Sequence, residues 1–482
     1  MSSEALVSEP NTGRRVRPWR SGRWILPLLF VALLPAVTTR INASDEIQFF
    51  AWLHSWTFDR DVDFENEYRY FVDAGPGRNP GFIATFLEMT NEAGRRPNFA
   101  PIGSAILWLP FYAAGHLAAG LTGGITDGFS RPYIAAVAYG SALYGFAAVL
   151  LSAAVARRLT GANGTTAAAV VWFGTPLLFY MYVAPVFAHA CSAFAVALFL
   201  WTWLRVRERW SVGGMVALGL TAALLPMVRE QDAFVAIAPG VDFLRWAWRT
   251  GRAQPDGWRA PLVRAAVGVA TGLTGYLPQL LAYTALNGHP GPTVLVSRKM
   301  TWTSPHFLEV LFSPRHGFFF WTPLALVALA GLVWLAAGRT APGEDAASRP
   351  AADRRWLALL LLLIVALQVY VSGSVESWTV AGAFGQRRFV ALTPVLTVGL
   401  AALLPAVSAT RPVRAAVAAG LAVLVWWNVG LMAQFGLHLM DRQRLSPADN
   451  AWTTFVELPA RMPGLVARYF ADRESFYGLP RE

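Results

Sequence analysis

Charged residues are scarce in this chain. They make up 14% of its 482 residues, whereas 55% are apolar. A soluble chain carries roughly a quarter of its residues as charges, so the scarcity excludes a disordered protein and an ordinary soluble one. Long apolar runs take the place of the charges, and the run at 356–372 is about as long as a bilayer-spanning helix needs. The sequence therefore predicts an all-α protein that crosses a membrane many times.

Cysteine and lysine are almost absent as well. Cys191 is the single cysteine and stands in an apolar stretch, which excludes a disulfide framework and a cysteine metal cluster. Lys299 is the single lysine although the net charge is +11, so nearly every cation is an arginine. One explanation is GC-rich coding together with anchoring on the cytoplasmic side. The other is phosphate binding, because a guanidinium group can form two parallel hydrogen bonds to a phosphate.

Hydropathy predicts eleven spanning helices, and arginine placement predicts their orientation. The predicted spans are 23–39, 133–155, 164–182, 186–204, 212–228, 232–247, 262–286, 317–337, 356–373, 389–406 and 413–434. Arginines concentrate in cytoplasmic loops, and an arginine cluster precedes the first span, which places the N-terminus in the cytoplasm. The expected organisation is a cytoplasmic segment over 1–22, a transmembrane domain over 23–434 and an extracytoplasmic tail over 435–482.

The apolar stretch 101–120 is left out of this count. It contains Pro101, Pro110 and His116, which are unusual in a lipid-facing helix. Counted as a span, it would also place most arginine clusters downstream of it outside the cell. We therefore expect an interfacial or re-entrant helix here, so that 40–132 forms one long first outer loop. The segments 287–316 and 374–388 are the other outer loops.

An acidic pair, Asp45 and Glu46, follows the first span directly. Charge so close to hydrocarbon is costly and needs a reason. One reason is a helix start, since an N-cap at Ser44 or Asp45 contributes about 1 kcal/mol. The other is chemistry, with a general base or a metal-anchoring carboxylate at the head of an outer cavity.

The acidic pair, the long outer loop and the motif Pro-Asn-Phe-Ala-Pro-Ile-Gly at 97–103 together resemble the GT-C membrane glycosyltransferases, which include the protein O-mannosyltransferases and the aminoarabinose transferases. The resemblance implies sugar transfer on the outer face of a bacterial inner membrane, with Asp45 activating the acceptor and Glu46 beside it. The family often has an aspartate at the turn before the fourth span. This chain has His189 there instead, and we expect it to act as a second acid/base group or acceptor ligand.

The outer loop at 374–388 carries the most specific match to that family. Its Phe-Gly-x-Arg-Arg-Phe motif contains Arg387 and Arg388, and the resemblance implies that such an arginine holds the donor phosphate. Positive residues on the outer side are disfavoured as simple anchors, which favours a binding role. Trp378, earlier in the loop, offers a flat surface for a sugar ring. Arg315, in a Ser-Pro-Arg-x-Gly motif before an aromatic run, is a further donor-phosphate residue.

Two more arginine sites precede or follow predicted helices. Arg95 and Arg96 stand before the interfacial helix, where a helix N-terminus favours anions, so they form a possible phosphate clamp or an attachment to anionic lipid. Arg229, beside Glu230, lies at the outer end of the fifth span. It either pairs with Glu230 to stabilise the turn or faces a lipid phosphate.

Carboxylates occupy alternate positions from 59 to 67. A calcium-binding loop starting at Asp59 would require a glycine and a glutamate where Phe64 and Tyr70 stand, so a solvated loop face is favoured. Asp61 and Asp63 remain weak candidates for a divalent cation, the only cofactor considered. They belong to an Asp-x-Asp-x-x-Asn-Glu-Tyr motif that resembles bacterial members of the family and that makes its last residue, Tyr68, a candidate sugar or lipid contact.

The motifs that are missing narrow the function further. The chain has no glycine-rich phosphate loop, no His-Glu-x-x-His and no Gly-x-Ser-x-Gly motif, and its cytoplasmic loops are too short for a nucleotide-sugar domain. An outer transferase must then use a lipid-borne donor. The expected partners are a polyprenyl-monophosphate sugar, a glycan, lipid or protein acceptor and membrane lipids, without nucleic acid. A single displacement would invert the anomeric carbon.

Two alternatives stay open. A flippase or transporter of lipid-linked glycans would also be polytopic and basic, although the sequence has no inverted repeat. A transferase resembling the O-antigen ligases would use a diphosphate donor and would differ mainly in its leaving group.

Overall fold

The computed structural model describes residues 24–161, 163–253, 255–339, 350–380, 382–408 and 410–476. The predicted cytoplasmic segment 1–22, with its arginine cluster, and the last residues of the predicted tail lie outside these ranges. Within them the chain is helical, and the β-structure is confined to one isolated antiparallel bridge between Met300 and Val375.

The α-helices are numbered here in chain order. They are α1 Ile25–Leu33, α2 Ser44–His54, α3 Glu65–Ala74, α4 Pro80–Phe82, α5 Gly103–Leu121, α6 Arg131–Thr160, α7 Gly164–Phe173, α8 Leu177–Tyr182, α9 His189–Val206, α10 Val212–Val228, α11 Ile237–Ala253, α12 Arg259–Asn287, α13 Val294–Ser297, α14 Phe307–Phe312, α15 Phe318–Trp321, α16 Leu324–Ala336, α17 Ala351–Gly373, α18 Thr393–Ala406, α19 Arg411–Gly436, α20 Pro447–Trp452 and α21 Leu458–Ala471. Segments of 3₁₀-helix precede α11 (Glu230–Ala236) and α18 (Arg387–Leu392), and a π-helical segment, Ser55–Asp59, follows α2.

Among the described residues, seven helices are long and apolar enough to cross a membrane. These seven are Gly103–Leu121, Arg131–Thr160, His189–Val206, Arg259–Asn287, Ala351–Gly373, Arg387–Ala406 and Arg411–Gly436. Shorter apolar helices occur at Ile25–Ala36, Gly164–Phe173, Val212–Val228 and Leu324–Ala336. The prediction of an all-α polytopic membrane protein is confirmed.

The predicted span 164–182 is divided between α7 and α8, and the list of spans differs from the prediction at two further places. First, α5, expected to be interfacial, is among the seven helices that are long and apolar enough to cross. Second, the predicted span 232–247 is absent from both groups. The helix found there, α11, carries Asp242, Arg245 and Arg249, and these charges make it too polar to qualify.

The chain around 232–247 nevertheless runs the length of α9. Asp232 accepts a 2.6 Å hydrogen bond from Ser192 near the start of α9, while Asp242 accepts one of 3.1 Å from Trp203 near its end. The 3₁₀ segment Glu230–Ala236 and the first turns of α11 cover this distance together. An extended 3₁₀ segment was not predictable from hydropathy, because 3₁₀ runs beyond three or four residues are uncommon.

Close packing between helices depends on glycine. At the crossing of α16 and α18, a Cβ added to Gly399 would lie 2.0 Å from the Ala328 carbonyl oxygen, and one added to Gly331 would lie 2.0 Å from the Gly399 carbonyl oxygen. Small residues let helix backbones approach this closely in membranes, where packing rather than the hydrophobic effect drives association.

A partly buried ion network lies at one end of the helix bundle. Arg207, at the end of α9, donates to Asp242 at 2.7 Å and to Asp353 at 2.8 Å. Asp242 also accepts from the indole of Trp356 at 2.8 Å. Because Arg207 is shared between these two carboxylates, the network has a structural role at this end of the bundle. Helices α9 and α18 begin at the opposite end.

The first outer loop packs as a small helical layer against that opposite end. The indole of Trp52 donates to the Ala100 carbonyl at 2.8 Å, and the Asn98 amide donates to the Gln48 carbonyl at 3.0 Å. These bonds join α2 to the segment leading into α5. They fix the orientation of α2, whose first turn carries the acidic pair.

Helix α5 lies beside the first half of α6 and begins at the end of α10. Gly103 packs directly on the backbone of Met227, and the Tyr144 hydroxyl donates to the Leu107 carbonyl at 3.0 Å. Further along, Gly115 packs on the backbone of Tyr133. Helix α5 therefore contacts the first half of α6 and the last turn of α10, and it also packs against α2 through the edge-on rings of Phe49 and Trp108.

Candidate functional site

Asp45 and Arg387 meet at the end of the bundle where α9 and α18 begin. Arg387 Nη1 donates to Asp45 Oδ2 at 2.5 Å, and the two side chains are 22% and 39% exposed. The guanidinium also lies 5.5 Å above the centre of the Phe187 ring. Both charged groups are thus partly exposed and accessible to a ligand, and the guanidinium also packs against Phe187.

Glu46, the neighbour of Asp45, has a different position. It is 1% exposed, and its Oε2 accepts a 2.7 Å hydrogen bond from the Asn42 backbone N–H, so it holds the start of α2. Burial raises the pKa of Glu46 to about 8, which keeps it mostly protonated at neutral pH. Glu46 therefore presents no exposed oxygen beside Asp45, and a catalytic role for it stays a prediction.

Arg388 is held by three residues of the surrounding elements. Its guanidinium donates to the carbonyl of Ser377 at 2.9 Å and to the Ser377 hydroxyl at 3.1 Å. Its own carbonyl accepts 3.0 Å hydrogen bonds from the amides of Gln231 and Gln368. These bonds join the start of the Arg387–Leu392 segment to the 3₁₀ segment that follows α10 and to the last turns of α17.

His189 lies beside Arg229, which follows the last residue of α10. The Arg229 guanidinium contacts His189 Nδ1 and donates to Gln231 Oε1 at 3.3 Å. It is close enough to Arg388 and Asp45 for their charges to interact. Arg229 therefore belongs to the same site and does not form the alternative ion pair with Glu230, whose carboxylate accepts from the Tyr283 hydroxyl.

Tyr180 connects this group to the loop before Arg387. Its hydroxyl donates to the Phe384 carbonyl at 3.1 Å and accepts from the Phe384 N–H at 3.2 Å. Its ring lies 4.3 Å from that of His189. Tyr180 is fully buried, so it fixes the relative positions of the loop and the arginines.

Cations outnumber carboxylates in this group. Arg229, Arg387 and Arg388 supply three positive charges, whereas Asp45 and Asp232 supply two negative ones. Like charges packed together in a partly buried place are unfavourable without a counter-ion. The arrangement is suited to binding an anion, and a guanidinium is well matched to a phosphate.

Arg315 itself forms no hydrogen bond with the described part of the loop before Arg387; the next residue, His316, does. The His316 ring bonds to the Ala383 carbonyl at 2.8 Å, which attaches its segment to the loop before Arg387. The Arg315 side chain is exposed, and its backbone N–H donates to Ser313 Oγ at 3.1 Å. Among the described residues, no hydrogen bond or ion pair joins its guanidinium to Asp45, Arg387 or Arg388.

Trp378 is half-buried in the same loop and stacks on His306, with ring centres 5.3 Å apart. One face of its ring is therefore occupied by protein. Its carbonyl accepts from the Gln386 amide at 3.1 Å, so the residue also shapes the loop. A sugar contact through the other face stays a prediction.

The remaining residues expected to bind ligands lie elsewhere in the outer loop. Arg96 donates to Glu65 at 3.1 Å, and Arg95 lines an open groove of about 700 Å³ with Asp61 and Asp63. The carboxylates of Asp61 and Asp63 accept from backbone N–H groups two residues ahead, so they stabilise turns. None of these four side chains contacts Asp45 or Arg387 within the ranges that the structure describes.

Tyr68 is fully buried, with its hydroxyl donating to the Pro97 carbonyl at 3.0 Å. Its ring packs edge-on against Phe82. This burial argues against the sugar or lipid contact expected for Tyr68 and makes it part of the loop's core.

No model of a known protein family matches the chain, and no curated protein matches it either.

Proposed function

We propose that the chain is a membrane glycosyltransferase of the GT-C type, which moves a sugar from a polyprenyl-monophosphate donor to an acceptor on the outer face of a bacterial inner membrane. The contact between Asp45 and Arg387 is the observation that supports this proposal most. It joins a carboxylate suited to accept a proton and a guanidinium suited to hold a phosphate, and Arg229 and Arg388 stand beside them.

In the proposed reaction, the acceptor hydroxyl attacks the anomeric carbon while the bond from that carbon to the phosphate oxygen breaks. Asp45 accepts the proton of the hydroxyl. Arg387 and Arg388 stabilise the negative charge on the departing polyprenyl phosphate. One displacement inverts the anomeric configuration. A phosphate bound to Arg387 would compete with Asp45 for the guanidinium and leave the carboxylate available to the acceptor.

The same contact supports the proposed membrane topology. Because Asp45 and Arg387 touch, the chain between them must cross the membrane an even number of times. Eight predicted spans, from 133–155 to 356–373, lie between the two residues when 232–247 is counted, because its 3₁₀ segment and α11 together run the length of α9. Adding α5 would make the number odd and would place the residues on opposite sides. We therefore propose that α5 stays on the outer side despite its length, in agreement with its contacts to the start of α6 and the end of α10.

The test is a transfer assay with the purified full-length chain. The protein, reconstituted in vesicles, is incubated with radiolabelled polyprenyl-monophosphate sugars or, in parallel, polyprenyl-diphosphate sugars, and with a membrane extract that supplies acceptors. We expect free polyprenyl phosphate to be released and the label to enter an acceptor. Movement of the intact donor across a vesicle membrane would indicate a transporter instead. Turnover with diphosphate donors alone would indicate the ligase-like alternative.

A further inference from the structure

A second cluster of ligating side chains lies at the far end of α2. His54 Nδ1 is 2.9 Å from Glu67 Oε1 and 3.1 Å from Asp59 Oδ2, and the three ligand atoms all lie within 4.8 Å of one another. Asp45 and His54 stand at opposite ends of this 11-residue helix, about 14 Å apart at 1.5 Å per residue. The cluster is therefore separate from the site around Asp45, and the inference drawn from it is independent of the proposed function.

The π-helical segment Ser55–Asp59 brings Asp59 back towards His54. In an α-helix, side chains five residues apart point about 140° away from each other. A π-helix joins residues i and i+5 by its hydrogen bonds and returns them to nearly the same face, and such segments are frequent at functional sites. The backbone thus adopts an uncommon conformation where two of the three side chains meet.

The imidazole of His54 is held in the orientation that a metal ligand needs. Its ring is stacked between Phe58, at 5.0 Å, and Phe129, at 3.9 Å. The backbone carbonyl of Asp127 also interacts with the ring. Nδ1 faces the carboxylates of Asp59 and Glu67, so the Asp127 carbonyl is the partner of the other ring nitrogen, Nε2. Metal-binding histidines usually donate their other N–H to a carbonyl or carboxylate, which fixes the tautomer.

Glu67 has a polar atom that its protein neighbours leave unused. The residue is 0% exposed, and its Oε2 has no hydrogen-bond partner among the described residues. Its carboxyl group is also close enough to that of Asp59 for the two to share a hydrogen bond. A buried acceptor without a partner is costly, and two adjacent carboxylates require a proton or a cation between them.

We propose that His54, Asp59 and Glu67 bind one divalent transition-metal ion, for which zinc is the best chemical match. Zinc binds both imidazole nitrogen and carboxylate oxygen, whereas magnesium and calcium prefer oxygen ligands alone, so the imidazole favours zinc over those two ions. The side chain of Asp59 is 31% exposed, so a water molecule can fill a fourth position. The ion would join the end of α2 to α3 and so stabilise the outer loop that carries Asp45.

The test uses full-length protein in detergent, stripped of metal and titrated with zinc chloride by calorimetry, with bound metal counted by mass spectrometry. We expect one zinc ion per chain and a higher unfolding temperature with zinc but not with magnesium. Substituting His54→Gln or Glu67→Gln should lower zinc affinity by about 100-fold or more, because even groups that only orient a ligand contribute 10- to 100-fold.

Glu65→Gln is the matched control, since Glu65 stands on the same helix but pairs with Arg69 and Arg96. It should keep the wild-type zinc affinity. If Glu67→Gln does not fold, Asp59→Asn replaces it, because Asp59 is partly exposed and its removal leaves the core intact. Failure of the wild-type protein to bind stoichiometric zinc, or equal affinity in the His54 and Glu65 variants, would overturn the proposal.

Discussion

Arg387 Nη1 lies 2.5 Å from Asp45 Oδ2, although 342 residues separate the two in the sequence. The contact joins the first turn of α2 to the segment that leads into α18. Arg229 and Arg388 lie close enough to interact with this pair. A transferase that releases a phosphate needs this combination, with a carboxylate for the acceptor and guanidinium groups for the leaving group.

Arg387→Gln should weaken the binding of a short-chain polyprenyl phosphate, the product common to all donors of the proposed class. A hydrogen bond between charged groups contributes about 1.5–3 kcal/mol, so we expect the Kd to rise about 10- to 100-fold in a titration with the purified protein. Arg315→Gln is the control. The exposed position of Arg315 predicts a rise below about threefold, and an equal loss in both variants would contradict the arrangement described for the site.

Much of the site could be predicted from the sequence, and the reason is physical. Asp45, Arg387 and Arg388 are charges at predicted span ends on the side where arginine is disfavoured, so each one required an explanation. Arg229 also lies at the outer end of a predicted span. An ion pair with its neighbour Glu230 explained its charge equally well, so the sequence alone did not assign it to the site. Only the packing of Glu230 against Tyr283 distinguishes the two.

Other features of the chain were not accessible from local sequence. Asp45 and Glu46 are adjacent in the sequence. The orientation of α2 against the rest of the protein buries Glu46 and leaves Asp45 accessible. The cluster of His54, Asp59 and Glu67 depends on a π-helical segment, which no spacing rule for α-helices indicates. Tyr68 belongs to a motif that suggested ligand contact, whereas the fold uses it in the core of the outer loop.

The buried carboxyl of Glu46 should make stability depend on pH. Its pKa in the folded protein is raised to about 8 from an ordinary value of 4.5, so the folded state keeps a proton that the unfolded state loses. The free energy of unfolding contributed by this group is then full below about pH 4.5 and falls as the pH rises towards 8. Glu46→Gln should remove this dependence.

The measurement for Glu46 is the unfolding temperature in detergent from pH 5 to pH 9. The wild-type protein should lose stability relative to Glu46→Gln up to about pH 8 and then run parallel to it. The variant should also keep transferase activity, since Glu46 is assigned to the helix start. Parallel curves over the whole range would show that Glu46 does not retain its proton on folding.

The crossing of α16 and α18 should not tolerate a larger side chain. A Cβ at Gly399 would lie 2.0 Å from a carbonyl oxygen of the facing helix, so Gly399→Leu should force the helices apart and destabilise the protein by about 1–3 kcal/mol or more. Gly420→Leu in α19 is the control, because a Cβ there meets nothing within 4 Å. Thermal unfolding in detergent compares the two, and equal stability would contradict the close packing.

The proposed topology predicts which positions face the outside. In a Cys191→Ala background, cysteines at Gly120 and Ser377 should both react with a membrane-impermeant maleimide in intact cells, because α5 and the loop before α18 are placed on the same side. A cysteine at Asp256, between α11 and α12, should react only after lysis. Protection of Gly120→Cys while Ser377→Cys is labelled would show that α5 crosses the membrane.

The rate of sugar transfer by Asp45→Asn tests the central claim most directly. In the assay with polyprenyl-monophosphate sugars, loss of the proposed base should lower turnover by about 100-fold or more, with donor binding largely retained. Asp73→Asn, an exposed acid in α3, should keep the wild-type rate. Near-normal turnover by Asp45→Asn would contradict the assignment of Asp45 as the group that activates the acceptor.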